Sequence, residues 1–238
     1  MRDARTRLIA AALPAVGETV RIGGEEAAHA RARRLAPSET VVLIDGSGRE
    51  AIAEVVRAMR GEVLVRVTEI RRETARAEKT SLYVAGLRPE RLAWTVQKAT
   101  ELDVDRVVVV ESGRTQSFRA DASVSRLDRV AREASKQCGR SDWPSISGPV
   151  PIARALAEEG SEHRFFLDFD GDRFPRRLAK GSSALLVGPE GGWTDDERSV
   201  AVRRGWKVVS LPAGRLRAET AAIAGLVLLS AARERKTR

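Results

Sequence analysis

A chain of 238 residues is long enough for one large domain or two smaller ones, each burying its own core. With 42% hydrophobic and 32% charged residues it belongs to neither the disordered nor the fibrous classes, and no apolar run approaches the roughly 20 residues that cross a bilayer. The excess of 42 Lys and Arg over 33 Asp and Glu, a formal +9, favours a polyanionic partner over an acidic small molecule.

Residues 1–72 read as a small β domain. Val- and Ile-rich stretches over 18–22, 40–45, 50–56 and 62–70 alternate as half-buried strands do. Asp45-Gly46-Ser47-Gly48 between two of them signals a hairpin. A short helix is predicted over 25–35, ended before Pro37. Several short strands with one helix suggest a small barrel. Residues 73–80 have no apolar face and read as a linker. From 81 to 238 strands and helices alternate. Strands are predicted at 81–87, 106–110, 164–169, 183–187 and 207–211. Pro89 opens a helix that runs to 102, and Leu127, Val130, Ala131, Ala134 and Cys138 mark the apolar face of a second, stopped by Gly139. A terminal helix covers 218–233. That alternation means an α/β domain with a mostly parallel sheet.

Two turns at strand ends carry the chemistry. The first is Val187-Gly188-Pro189-Glu190-Gly191-Gly192, followed by Thr194 and Glu197 at capping-box spacing. Its glycines let backbone approach a ligand at the edge where open α/β sheets bind one. It lacks the Gly-Lys-Ser/Thr of a phosphate loop, and Asp195-Asp196-Glu197 would repel a pyrophosphate, so a cationic or neutral nucleoside ligand fits better. The second turn is Leu211-Pro212-Ala213-Gly214-Arg215-Leu216, leading into a helix whose start holds Arg217, Glu219 and Thr220. Glu219 suits a helix N-terminus by charge alone, and Arg217 could simply pair with it. Two further segments are polar helix faces: Gln97-Lys98-Ala99-Thr100-Glu101-Leu102, and Glu133-Ala134 with Gln137 and Arg140.

These four segments, in this order behind a small β domain, resemble the 16S rRNA uracil-N3 methyltransferase family (RsmE-type) of the SPOUT superfamily of knotted methyltransferases. The resemblance is strong from about 80 to 233 and weaker before. It departs at Asp103, where the family has Gly, and at the N-terminus, where Asp3-Ala4-Arg5-Thr6-Arg7 replaces an aromatic pair. The family implies an α/β domain carrying a deep trefoil knot, preceded by a PUA-like β-barrel that binds RNA. It implies S-adenosylmethionine as cofactor, held by Val187, Gly188, Pro189, Glu190, Gly191 and Gly192, by Leu211, Pro212, Gly214, Leu216 and Arg217, and by Leu167 and Asp168. It also implies a homodimer acting on 16S rRNA in the small ribosomal subunit.

Methylating N3 of uracil requires removal of its proton. Arg217 is the candidate to stabilise charge on a uracil carbonyl, Glu219 the candidate base or the group orienting Arg217, and Thr220 a hydrogen-bonding partner. Arg5, Arg7, Arg114, Arg119, Lys136 and Arg140 are candidates for RNA phosphate contacts, and Trp143 for stacking on a base. A knotted ribose 2′-O-methyltransferase and a non-catalytic RNA-binding assembly factor remain open as alternatives. Two histidines, His29 and His163, and one cysteine, Cys138, make neither a zinc site nor a disulfide, so no metal is expected. With no signal peptide and no membrane span, the expected location is the cytoplasm.

Overall fold

The computed structural model describes residues 6–72, 76–115 and 120–233. The chain divides into two compact units, Met1–Ala75 with Ser135–Trp143, and Arg76–Ala134 with Pro144–Arg238.

The first unit contains β1 (Arg7–Ile9), β2 (Thr19–Gly23), α1 (Gly24–Ala32), β3 (Thr40–Ile44), β4 (Arg49–Met59) and β5 (Glu62–Arg72). They form one sheet in the order β1-β3-β4-β5-β2, with β1 parallel to β3 and the other pairs antiparallel. The sheet has two edges, so the expected small barrel is a half-barrel. In β3 the period of two is visible in the packing. Val41 and Leu43 enter the main core with Leu8, Val55 and Val65, whereas Val42 and Ile44 join Ile52 on the other face. That second face is covered by Ile9 and by Trp143, which follows the segment 135–142. Trp143 is therefore packed rather than free to stack on a base. Gly46 is required beside it, because a Cβ there would fall 2.4 Å from the indole.

The second unit runs β6 (Thr80–Ala85), α2 (Pro89–Glu101), β7 (Arg106–Glu111), α3 (Ala120–Cys138), β8 (Ser145–Pro151), α4 (Ile152–Glu158), β9 (His163–Arg173), β10 (Ser183–Val187), α5 (Asp195–Arg203), β11 (Lys207–Ser210) and α6 (Ala218–Ala232), with the last residues of α3 counted in the first unit. Its six strands are all parallel, in the order β11-β9-β10-β6-β7-β8. Helices cover the sheet, α6 lying over β10 and against α2, and α4 against α5. The central strands are apolar because both faces are buried: every residue of β10 is buried, as are Val107 to Val110 of β7. The sequence reading missed β8 and α4. In β8, Gly148, Pro149 and Pro151 contradict strand propensity, and an outer position beside β7 alone is what tolerates them. Of the expected linker, 73–75 lie outside the described residues. Arg76 is ion-paired to Asp103 and Asp105, and Lys79 to Asp105. No helix among the described residues is long and apolar enough to cross a membrane.

A buried polar network joins three elements of this unit. Glu159, after α4, accepts hydrogen bonds from Tyr83 Oη at 2.6 Å, from the Ser161 amide at 2.8 Å and from Arg106. Burial alone would raise the Glu159 carboxyl, but the bonds from Ser161 and Tyr83 and the Arg106 charge outweigh it and hold the group below the usual carboxylate range. Burial and the neighbouring Glu159 push the Tyr83 hydroxyl up, so it stays a donor. A depressed carboxyl stabilises the fold above its unfolded value of about 4.3, and that contribution is lost as pH falls through the lower folded value. Glu159→Ala should cost about 2 kcal/mol at neutral pH, less than a fully buried pair because Arg106 reaches solvent. Urea titrations between neutral pH and pH 3 should show the gap between wild type and variant narrowing with acidification.

Candidate active site

The first wall of the site is built where β10 ends. Beyond Val187 the chain turns at Gly188 and enters α5 through Thr194, whose side chain accepts from the Glu197 amide at 3.2 Å while the Glu197 carboxylate accepts from the Thr194 amide at 2.8 Å. This is the capping box expected from the spacing. Glu197 also accepts from the amide of Gly113 at 2.8 Å, and Arg114 donates to the Gly191 carbonyl at 2.9 Å, so the 113–114 loop fastens the turn from outside. Trp193 fastens it from inside. Its indole N–H donates to the Leu167 carbonyl at 2.9 Å and its ring packs on Phe166 with centroids 4.6 Å apart. Gly188 lies against that ring, so a Cβ there would come within 2.7 Å of the indole. The glycine is thus required by the tryptophan, a reason the sequence does not disclose.

The second wall follows β11, where residues 211–217 lead into α6. The two turns, far apart in the chain, share one cleft of about 610 Å³. Of the residues expected to hold a cofactor, Leu167, Asp168, Val187, Gly188, Pro189, Glu190, Gly192, Leu211, Gly214, Leu216 and Arg217 line it. Gly191 and Pro212 are not among its lining residues; Gly191 instead meets Arg114. Asp168 is ion-paired to Arg198 at 3.3 Å. At the rim the Arg215 guanidinium lies 5.2 Å from the centroid of the exposed Phe169 ring.

Arg217 immediately precedes α6 with extended backbone, is exposed and lines the cleft. Glu219, in the first turn, does not pair with it. Its Oε1 lies 3.5 Å from Nε of Arg91, and its Oε2 is buried without a hydrogen-bond partner among the described residues. Arg91 also binds Glu190 on the opposite turn. One guanidinium on α2 therefore links an acid from each wall, and Arg91 itself lines the cleft. Sequence reasoning missed Arg91. It stands two residues after Pro89 as the one arginine of α2, with no motif around it, and only the packing of α2 against α6 singles it out. Thr220 is exposed and is not among the lining residues.

The candidate phosphate-binding residues separate. Arg5 and Arg119 lie outside the described residues. Arg7, Lys136 and Arg140 are turned inward. Arg7 is ion-paired to Glu50 at 2.5 Å and donates to the Arg140 carbonyl at 3.3 Å. Arg140 is only 1% exposed and binds Asp142 at 2.9 Å, and Lys136 binds Glu26 at 2.8 Å with a side chain 7% exposed. Buried charges of this kind exist because a partner neutralises them. Arg114 alone of the described set is exposed. No cluster of three or more His, Cys, Asp or Glu able to hold a metal occurs among the described residues.

Residues 74–230 match the RNA methyltransferase domain family, and 22–68 match the RNA methyltransferase PUA domain. The chain is 30% identical over 229 residues to the ribosomal RNA small subunit methyltransferase E of Mycobacterium bovis, covering 90% of this chain and 87% of that one. It is 26% identical over 199 residues to the protein of the same name from Rickettsia conorii, covering 81% of each. The crystal structure of the Neisseria gonorrhoeae ribosomal RNA small subunit methyltransferase E bound to S-adenosyl methionine superposes with a TM-score of 0.88 at 25% identity, over 95% of this chain and 97% of that one.

The Gly188–Trp193 contact makes a stability prediction. Gly188→Ala should destabilise the protein by about 1–3 kcal/mol through overpacking. Gly214→Ala, where nothing lies within 4 Å of an added Cβ, should stay within about 0.5 kcal/mol of wild type. Urea midpoints for the two variants decide it; equal midpoints would remove Trp193 from its place as the spacer.

Proposed function

The chain belongs to the ribosomal RNA small subunit methyltransferase E family, and from that membership and the shape of the cleft we propose that it methylates N3 of a uridine in 16S rRNA of the small ribosomal subunit, using S-adenosylmethionine. One observation carries this: the turns at 188–192 and 211–217 meet in a single cleft with Arg217 at its edge and Glu219 behind it.

The residues present fit the cofactor. A volume of about 610 Å³ suits a nucleoside-sized ligand. Leu167, Val187, Leu211 and Leu216 supply apolar walls, backbone of the two glycine-bearing turns supplies donors and acceptors, and Asp168, Glu190 and Glu219 make the surroundings favourable to a cation. Bound there, S-adenosylmethionine supplies an electrophilic methyl group on a positively charged sulfur.

The chain's own residues account for the rest. Uracil N3 carries a proton at neutral pH and becomes nucleophilic only when that proton leaves. Glu219 has one carboxylate oxygen near Arg91 and the other without a partner, an arrangement suited to accepting a hydrogen bond and then the proton. The negative charge left on the ring spreads to its carbonyl oxygens, where Arg217, always charged, offers donors. Arg91 holds Glu219 against the Glu190 side of the cleft and so fixes the base relative to the cofactor turn. Thr220 is assigned a supporting hydrogen bond at the helix start.

The division of labour we propose gives RNA binding to 1–72 and catalysis to 81–238, joined through 73–80. It includes the deep trefoil knot of the superfamily, a reading supported by the family membership. It also includes a homodimer, supported by apolar surface exposed at Trp94 on α2 and Val227 on α6, two helices that pack together. Its place is the cytoplasm, where small subunits are assembled.

Incubating the protein with undermodified small subunits and labelled cofactor, then digesting the rRNA for mass spectrometry, should yield N3-methyluridine. A ribose 2′-O-methyl product or no transfer would overturn the assignment. Arg217→Ala and Glu219→Gln should each lower kcat by about 10²–10⁴-fold, with cofactor affinity changed only a few-fold.

A further inference from the structure

With Arg7, Lys136 and Arg140 engaged internally, the first unit must meet RNA through other cations. A cleft in this unit answers that need. It has a volume of about 410 Å³ and lies between the end of α1 and the β4–β5 hairpin. The apolar floor is Ala27, Ala30 and Val63, and the rim carries Arg31, Arg34 and Arg60. All three are exposed, and none has a carboxylate within 4.0 Å among the described residues. The single acid of the rim, Glu62, is already engaged by Arg21 at 3.1 Å.

We propose that Arg31, Arg34 and Arg60 form a binding site for the phosphate backbone of the RNA substrate, a role that rests on the function proposed above. Each cation can be weighed against a structural reason for its presence. Arg31, in the last turn of α1, complements the negative end of the helix dipole and has such a reason. Arg60 has none, because it sits on the tip of a hairpin beside Gly61, which has a φ of +91°. Arg34 stands against local preference. It adopts a φ of +55°, just beyond the helix end, where Leu35 N–H closes onto the Ala30 carbonyl at 3.1 Å. That position favours glycine, whereas a residue with a Cβ is strained there. A long cation held in a strained conformation at the lip of a cleft is retained for what its side chain does. Guanidiniums from a helix turn, a helix terminus and a hairpin tip line one concavity, and each can contact a backbone phosphate.

The strain supplies a test that separates binding from folding. Arg34→Gly removes the guanidinium and relieves the backbone, so its urea midpoint should equal or exceed that of wild type. Affinity for 16S rRNA fragments should nevertheless fall several-fold. The triple variant Arg31→Gln, Arg34→Gly, Arg60→Gln should weaken RNA binding at least about tenfold at low salt and reduce the slope of log Kd against log salt by roughly 2, since each lost phosphate contact removes about 0.7–0.9. Its KM for small subunits should rise while kcat and cofactor affinity stay unchanged. An unaltered salt slope, or a loss of RNA binding only in proportion to a loss of folded protein, would overturn the site. Displacement of RNA from wild type by millimolar inorganic phosphate at constant ionic strength would also overturn it, marking a small-anion pocket instead. If wild type itself neither binds nor methylates small-subunit RNA, the failure belongs to the proposed function; if it does both and the variants match it, only the arginine cleft is wrong.

Discussion

Trp193 donates its indole N–H to the carbonyl of Leu167 while its ring lies on Phe166 and over Gly188. Everything at the site depends on this spacing. Leu167 belongs to β9 and Gly188 follows β10, so one buried side chain spans from the end of β10 to β9 just past their last paired residues, Phe166 and Leu186. A bulkier residue at 188 or a ring without the N–H would change that gap, and the cleft floor with it. The second turn needs no such spacer. It follows β11, which pairs with β9 on the other side, and sheet register alone brings it to the same edge. A parallel sheet thus gathers onto one edge turns that the sequence separates by more than a whole helix.

The acids around that edge are only partly answered by guanidiniums. Asp168 is answered by Arg198, and Glu190 and Glu219 share Arg91. Arg217 is exposed and lines the cleft. Acids lie on the walls and a guanidinium at the opening. That distribution suits a cationic group bound inside and a developing anion outside. A site made for phosphate would reverse it, with donors inside and no carboxylates. The acidic run after the glycine turn disfavours a pyrophosphate by charge, and the placement of Asp168, Glu190 and Glu219 disfavours it by geometry.

Most strands were legible in the sequence: 106–110 and 183–187 as uninterrupted apolar runs, because burial on both faces leaves no room for polar residues, and 40–45, 50–56 and 62–70 by their Val- and Ile-rich alternation. The Thr194–Glu197 box was legible because a cap is local chemistry. What escaped was decided by distant partners. β8 forms despite Pro149 and Pro151 because β7 offers an edge that does not require their missing N–H groups. Arg91 becomes a site residue only when α2 meets α6. The inward placement of Arg7, Lys136 and Arg140 has the same origin. In a sequence an arginine is assigned to the surface by default, and Arg7 was buried by Glu50, which lies 43 residues away. The helix and strand periods fixed where each of these residues sits along its element, but not what it meets there.

That placement bears on how a basic protein is read. A formal charge of +9 says that cations outnumber anions, not which of them face outward. In the first unit, several of the cations that looked suited to RNA are held in ion pairs with Glu50, Asp142 and Glu26. A paired, buried guanidinium contributes almost nothing to the field felt by an approaching polyanion, because its partner cancels it at short range. The same unit keeps Arg31, Arg34 and Arg60 around a concavity without acidic partners among the described residues. Two sets of cations of equal formal charge therefore do different work: the inward set consolidates the packing of 135–143 onto the sheet, and the outward set remains available to phosphate. Exposure and pairing, rather than the count, decide where a basic domain meets nucleic acid.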